Sequence, residues 1–88
     1  MRWDSSKNKE LKEKGRPSFD ELVQAIAEGK LVDDTSNKNH PLQRVMWVLL
    51  DSKIHLIAYE DRVDHLWLAT AFPSTRATEV WTKKNRKD

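Results

Sequence analysis

Three apolar runs lie nearly end to end in the second half of this chain: Gln43–Leu50, Lys53–Glu60 and His65–Phe72. The links between them are only Asp51-Ser52 and Asp61-Arg62-Val63-Asp64. Connections this short cannot carry a crossover, so the runs must pair antiparallel as a meander. Pro73 closes the last of them, because a proline cannot donate to a further ladder bond.

Helices flank this sheet. Asp4-Ser5-Ser6 opens a Lys/Glu-rich helix that Gly15 stops, with Trp3 at its start and Leu11 as its one apolar contact. The second helix is specified more fully. Ser18 and Glu21 fit a capping box, Pro17 precedes it, and Phe19, Leu22, Val23 and Ile26 recur at helical spacing until Gly29. Leu31-Val32 reads as a short strand before a polar loop, Asp33–Pro41. Thr75–Lys83 reads as a closing helix with Val80 and Trp81 as its apolar side. The expected fold class is α+β: two N-terminal helices, an antiparallel sheet of three to four strands, and a C-terminal helix, with the helices on one sheet face. With 88 residues the chain is expected to form a single domain over 1–88, with 84–88 as a candidate disordered tail.

Two absences bound the chemistry. Without cysteine there is neither disulfide nor thiolate chemistry, and with no apolar leader or membrane-length run the expected setting is the cytoplasm. The glycines, Gly15 and Gly29, cannot make a phosphate-cradling loop, and His40, His55 and His65 lack the spacing of a metal motif. No cofactor or metal is therefore expected. A formal net charge of +2 hides a polarity along the chain. Residues 1–16 and the tail from Pro73 are rich in Lys and Arg, whereas 17–34 are acidic. Basic ends around an acidic middle suit a local polyanion footprint, although solvated helix faces would give the same pattern.

The hairpins make register testable. If Asp51-Ser52 is a two-residue turn, Leu50 faces Lys53 and Arg44 faces Tyr59. If the second hairpin centres on Arg62-Val63, Tyr59 faces His65, Ile57 faces Trp67 and His55 faces Ala69. Arg44, Tyr59 and His65 would then form one row on the less buried face, with Ile54, Leu56, Ala58, Leu66, Leu68 and Thr70 on the core face. A one-residue slip would send Arg44 to the other side. Such a row is either a set of polar cross-strand pairs or a site. RNA cleavage at a 2′-hydroxyl needs a proton acceptor, a proton donor and cations for the developing phosphorane charge. His65, His55 or His40 suit the first two roles and arginine the third. Exposed Tyr59 or Trp67 could stack on a base.

Arg76 sits in the first turn of the closing helix, where the macrodipole disfavours a cation. Helix N–H groups and a guanidinium together would make an anion site; an ion pair with Glu79 is the plainer alternative.

The segments WDSSKNKELKEKGRPSFDELVQAI, HPLQRVMWVLL and PSTRATEVW, in this order, resemble the BrnT-like toxins of bacterial type II toxin–antitoxin modules. The likeness runs from about Trp3 to Trp81. It implies a RelE-like compact fold and a metal-independent endoribonuclease that stops translation. It also implies a cognate antitoxin as partner in a hetero-oligomer, with operator DNA contacted only through that antitoxin. The family's basic position in the first helix falls on Lys7, and its closing motif on Thr75, Arg76, Ala77 and Thr78. Thr75 stands where the family has a cation, and Ala69 where related chains often have lysine. Together with the register reading above, the expected catalytic set is Arg76, Arg44, His65, His55 and His40, and the expected RNA contacts are Lys7, Lys12, Tyr59, Trp67 and Thr78. A catalytically silent homologue retaining antitoxin binding and co-repression is the alternative.

Overall fold

A computed structural model describes residues 1–85. The elements run β1 (Arg2–Trp3), α1 (Ser5–Glu13), α2 (Phe19–Ala27), β2 (Leu31–Ser36), β3 (Arg44–Leu50), β4 (Lys53–Arg62), β5 (His65–Pro73) and α3 (Thr75–Lys84). Of the expected tail 84–88, Lys84 ends α3 and Asn85 caps it; residues 86–88 lie outside the described residues.

Local signals set the helix ends. The Asp4 side chain accepts from the Ser6 N–H at 2.8 Å, and Ser74 accepts from the Ala77 N–H at 3.0 Å. The Ser18/Glu21 capping box is present in both directions. Gly15 and Gly29 adopt φ of +71° and +85°. Each follows its helix in a Schellman arrangement, with Arg16 N–H donating to the Leu11 carbonyl and Lys30 N–H to the Ala25 carbonyl. A side chain at either position would strain the backbone rather than clash with a neighbour.

The sheet has five strands in the order β1-β5-β4-β3-β2. It is mixed rather than purely antiparallel, because Arg2-Trp3 runs parallel to Trp67-Leu68 at the edge. Two residues carry no legible period, so this strand escapes sequence reading. β2 also outruns its expected length: Asp33 to Ser36 pair with β3, with a bulge after Leu31, where a loop is expected.

The first hairpin has the expected register, Leu50 opposite Lys53 and Arg44 opposite Tyr59. Asp51 and Ser52 both take positive φ, +53° and +64°, as the twist of a two-residue hairpin demands. The second hairpin differs. Arg62 faces His65 across a Val63-Asp64 turn, Tyr59 faces Leu68, and Ala69 is the extra residue of a bulge. Tyr59–His65, Ile57–Trp67 and His55–Ala69 are therefore not partners.

This bulge changes which residues face the core. Leu66 and Leu68 point to it before the bulge and Ala71 after it, so no uniform alternation along β5 gives the right face. The main core lies between α1–α2 and the face carrying Met46, Val48, Ile57, Tyr59, Leu68 and Ala71, into which Leu11, Phe19, Leu22 and Ala25 pack. The face expected to be less buried is thus the principal core. The other side, with Ile54 and Ala58, is covered in part by α3, so the helices occupy both faces rather than one. On α3 the buried contact is Ala77; Val80 remains 40% exposed.

Candidate functional site

A cleft of about 570 Å3 lies at one end of the sheet, between the α1–α2 connection and the start of β4. Lys12, Gly15, Arg16 and Pro17 form one wall; Asp51, Lys53 and Pro73 form the other, with Glu21 at the side and His55 below. Each wall has a local cause. The Schellman turn reverses the chain at Gly15 and directs Arg16 toward the sheet end, and Pro17 stiffens the exit into α2. The tight hairpin holds Lys53 opposite Leu50.

Among the described residues, Lys12, Arg16 and Lys53 make no ion pair. Arg16 is half-buried, yet its guanidinium has no hydrogen-bond partner among them. One of the two carboxylates here is already engaged: Glu21 accepts from the Ser18 N–H at 3.2 Å. His55 is 4% exposed. Burial lowers its pKa, the Leu50 carbonyl and Asp51 oppose that, and Lys53 adds to it. The net result favours a neutral imidazole, able to accept a proton.

The other expected site residues do not join this cleft. Arg44 and Tyr59 share its sheet face but sit four residues further along the strands, roughly 13 Å away at 3.3 Å per residue. There Asp34 engages both. Its carboxylate takes Arg44 Nε at 3.1 Å and the Tyr59 hydroxyl at 2.6 Å, and its carbonyl accepts from Arg44 at 3.2 Å. The Tyr59 hydroxyl and Asp34 hold the Arg44 pKa above its ordinary value. Burial, then Asp34, raises that of Tyr59. Arg44 is thus a neutralised partner, and Tyr59, 5% exposed, offers no stacking face.

His65 lies on the opposite face, 2.5 Å from Asp64, whose pKa it lowers by hydrogen bonding and charge. Trp67 is roofed by Arg62, with the guanidinium carbon 4.6 Å from the ring centroid, and Arg62 in turn meets Glu60 at 3.3 Å. His40 is exposed in the loop between β2 and β3. Lys7 pairs with Glu10 at 3.8 Å. Arg76 is exposed on α3, on the side of the sheet away from Arg44 and Lys7, and pairs with no carboxylate among the described residues, Glu79 included. Thr78 works as a structural tie, accepting from the Ile54 N–H at 2.9 Å and donating to the Ser74 carbonyl at 2.7 Å.

Arg76, Arg44 and Lys7, all expected site residues, therefore do not meet in one pocket. Of the named residues, His55 and Lys12 meet at this cleft, and Arg44 and Tyr59 meet at Asp34. Sequence reasoning missed Arg16 and Lys53. The available signal was their adjacency to the two tightest turns, Gly15 and Asp51-Ser52, which bring chain ends of a sheet and a helix pair to one place. Asn8 was also missed: its side chain accepts from the Phe19 N–H at 2.7 Å and donates to Asp20 at 2.9 Å, binding α1 to the start of α2.

Set against protein-family models, curated proteins and solved structures, the chain matches none of them. Among the described residues no helix is long and apolar enough to cross a membrane.

Proposed function

We propose that this chain is a toxin of the BrnT-like, RelE-like kind, a metal-independent cytoplasmic endoribonuclease held in check by a cognate antitoxin. The observation that carries the enzymatic part is the cleft in which three unpaired cations surround a buried, neutral-leaning imidazole. In this reading His55 accepts the proton of a 2′-hydroxyl as that oxygen attacks the adjacent phosphorus. Lys12, Arg16 and Lys53 stabilise the charge that accumulates on the phosphoryl oxygens, and the 5′-oxygen leaves with a proton from the surrounding cationic or solvent donors. The nucleophile belongs to the RNA, so the reaction asks for no cofactor.

The test is cleavage of single-stranded RNA by purified protein in chelator, alongside inducible expression in a bacterial host. Wild type is expected to cleave and to arrest growth, and His55→Asn to lose about 100-fold or more, the usual worth of a positioned general base. A soluble, folded wild type that leaves RNA intact and cells growing overturns the nuclease reading.

A second reading is favoured by the disposition of the two expected catalytic arginines: Arg44 is neutralised by Asp34, and Arg76 stands apart. In that reading the chain is a silent homologue whose work is antitoxin binding and operator co-repression. Co-expression with an adjoining antitoxin frame separates the two, because complex formation without toxicity supports only the second.

A further inference from the structure

We infer that the cleft between Arg16 and Lys53 binds the sugar–phosphate backbone of single-stranded RNA without reading its bases. This rests on the RNA reading above but concerns recognition rather than cleavage.

The first ground is unspent charge. Lys12, Arg16 and Lys53 face one cavity from three segments: the last turn of α1, the turn after it and the first residue of β4. Several cations elsewhere are already matched, Arg44 by Asp34, Arg62 by Glu60, and Lys7 and Lys14 by Glu10; Lys30 and Lys84 each stand singly beside another concavity, whereas here three cations unpaired among the described residues line one. Arg16 is half-buried as a residue, and its guanidinium donors make no bond to the protein among the described residues. An anion with planar oxygen pairs, such as a phosphodiester, would engage those donors. The carboxylates facing the same space limit this only in part. Glu21 is tied to the α2 cap, and Asp51 stands exposed in the hairpin turn.

The second ground is what the cleft lacks. Apart from the imidazole of His55, no aromatic side chain lines it. Trp3 is packed near Phe19 at 5.7 Å between centroids, Tyr59 is buried, and Trp67 lies beneath Arg62. A strand entering here meets cations and no stacking platform, and phosphate contacts position a nucleic acid without specifying its sequence. The cleft is also recessed down to a 4%-exposed ring. A flexible single strand can bend its backbone inward to reach such a floor, whereas duplex phosphates lie on a convex rod.

The experiment uses fluorescence anisotropy with labelled 2′-O-methyl oligoribonucleotides, in which the attacking hydroxyl is blocked so that binding is read apart from cleavage. Oligo-A, oligo-U and oligo-C are expected to bind within about 3-fold of one another, and a duplex at least about 10-fold more weakly. The dependence of log Kd on log salt is expected to have a slope near 2, from three cations at about 0.7 each for a single strand. Arg16→Ala and Lys53→Ala should each weaken binding by about 10-fold, the scale of one charged hydrogen bond, and each lower the slope by about 0.7. Lys83→Ala, at the far end of α3, should change neither, and circular dichroism verifies the fold of each variant. Unchanged affinity in both cleft variants, a 10-fold preference among bases, or equal binding of duplex overturns the inference. Wild-type binding without cleavage of unmodified RNA removes the nuclease reading and leaves this one standing.

Discussion

Acidification should weaken this fold through His55, by an amount that can be worked out from its surroundings. In an unfolded chain the imidazole titrates near 6.5. In the folded protein burial pulls that value down, and the opposing pull of the Leu50 carbonyl and Asp51 does not restore it. As pH falls below about 6.5, the unfolded state takes up a proton that the folded ring resists, so stability drops. The contribution is fully present above about 6.5 and is lost as pH descends through the folded value. For one proton the slope is at most about 1.4 kcal/mol per pH unit. A domain of this size has roughly 5–10 kcal/mol in total, and each 1 kcal/mol moves Tm by about 4–8 °C, so the effect is measurable. Urea titrations followed by tryptophan fluorescence between about pH 7 and pH 5 provide the assay. His55→Asn should remove most of the slope in this range, leaving the carboxylate titrations further down untouched. Added salt should alter it little, because Lys12, Arg16, Lys53 and Asp51 act through screened solvent, whereas burial does not. A variant whose pH dependence matches that of wild type would show that the ring is not the group responsible, and the account of its environment would be wrong.

Two further outcomes follow from the same geometry. Asp34→Ala should cost about 1–3 kcal/mol by leaving the buried Tyr59 hydroxyl without its acceptor. Tyr59→Phe should then add little, and a double-mutant cycle that is additive to within about 0.3 kcal/mol would refute the coupling. Ser52→Gly should raise stability by about 0.5–1 kcal/mol, relieving a left-handed serine at φ +64° at some entropic cost in the unfolded chain. A melting temperature that stays level or falls would mean that this turn is not strained.

The legible parts of this structure are those in which cause and effect lie a few residues apart. The Ser18–Glu21 box, the stops at Gly15 and Gly29, the Ser74 cap and the Asp51-Ser52 turn all fall where their residue types place them, and with them the Arg44–Tyr59 register. The second hairpin was misread because a bulge at Ala69 leaves no trace in an alternation of Ala, Thr and Leu, all of which suit either face. β1 was invisible for a similar reason: its two residues pair with β5 only because α1 folds back beneath the sheet. The candidate site divides along the same line. His55 and Lys12 could be named as titratable or basic residues, whereas Arg16 and Lys53 acquire meaning only beside each other.

The order of letters alone determined where helices begin and end, which strands are hairpin neighbours and that cysteine chemistry is excluded, because these depend on backbone contacts spanning at most about five residues and on composition. Which sheet face became the core, the placing of α3 on the far side, the separation of Arg76 from Arg44 and the gathering of Lys12, Arg16, Lys53 and His55 were decided by tertiary structure. A strand with apolar groups on both sides has no intrinsic preference, and only competition between helices for the larger apolar surface selects one.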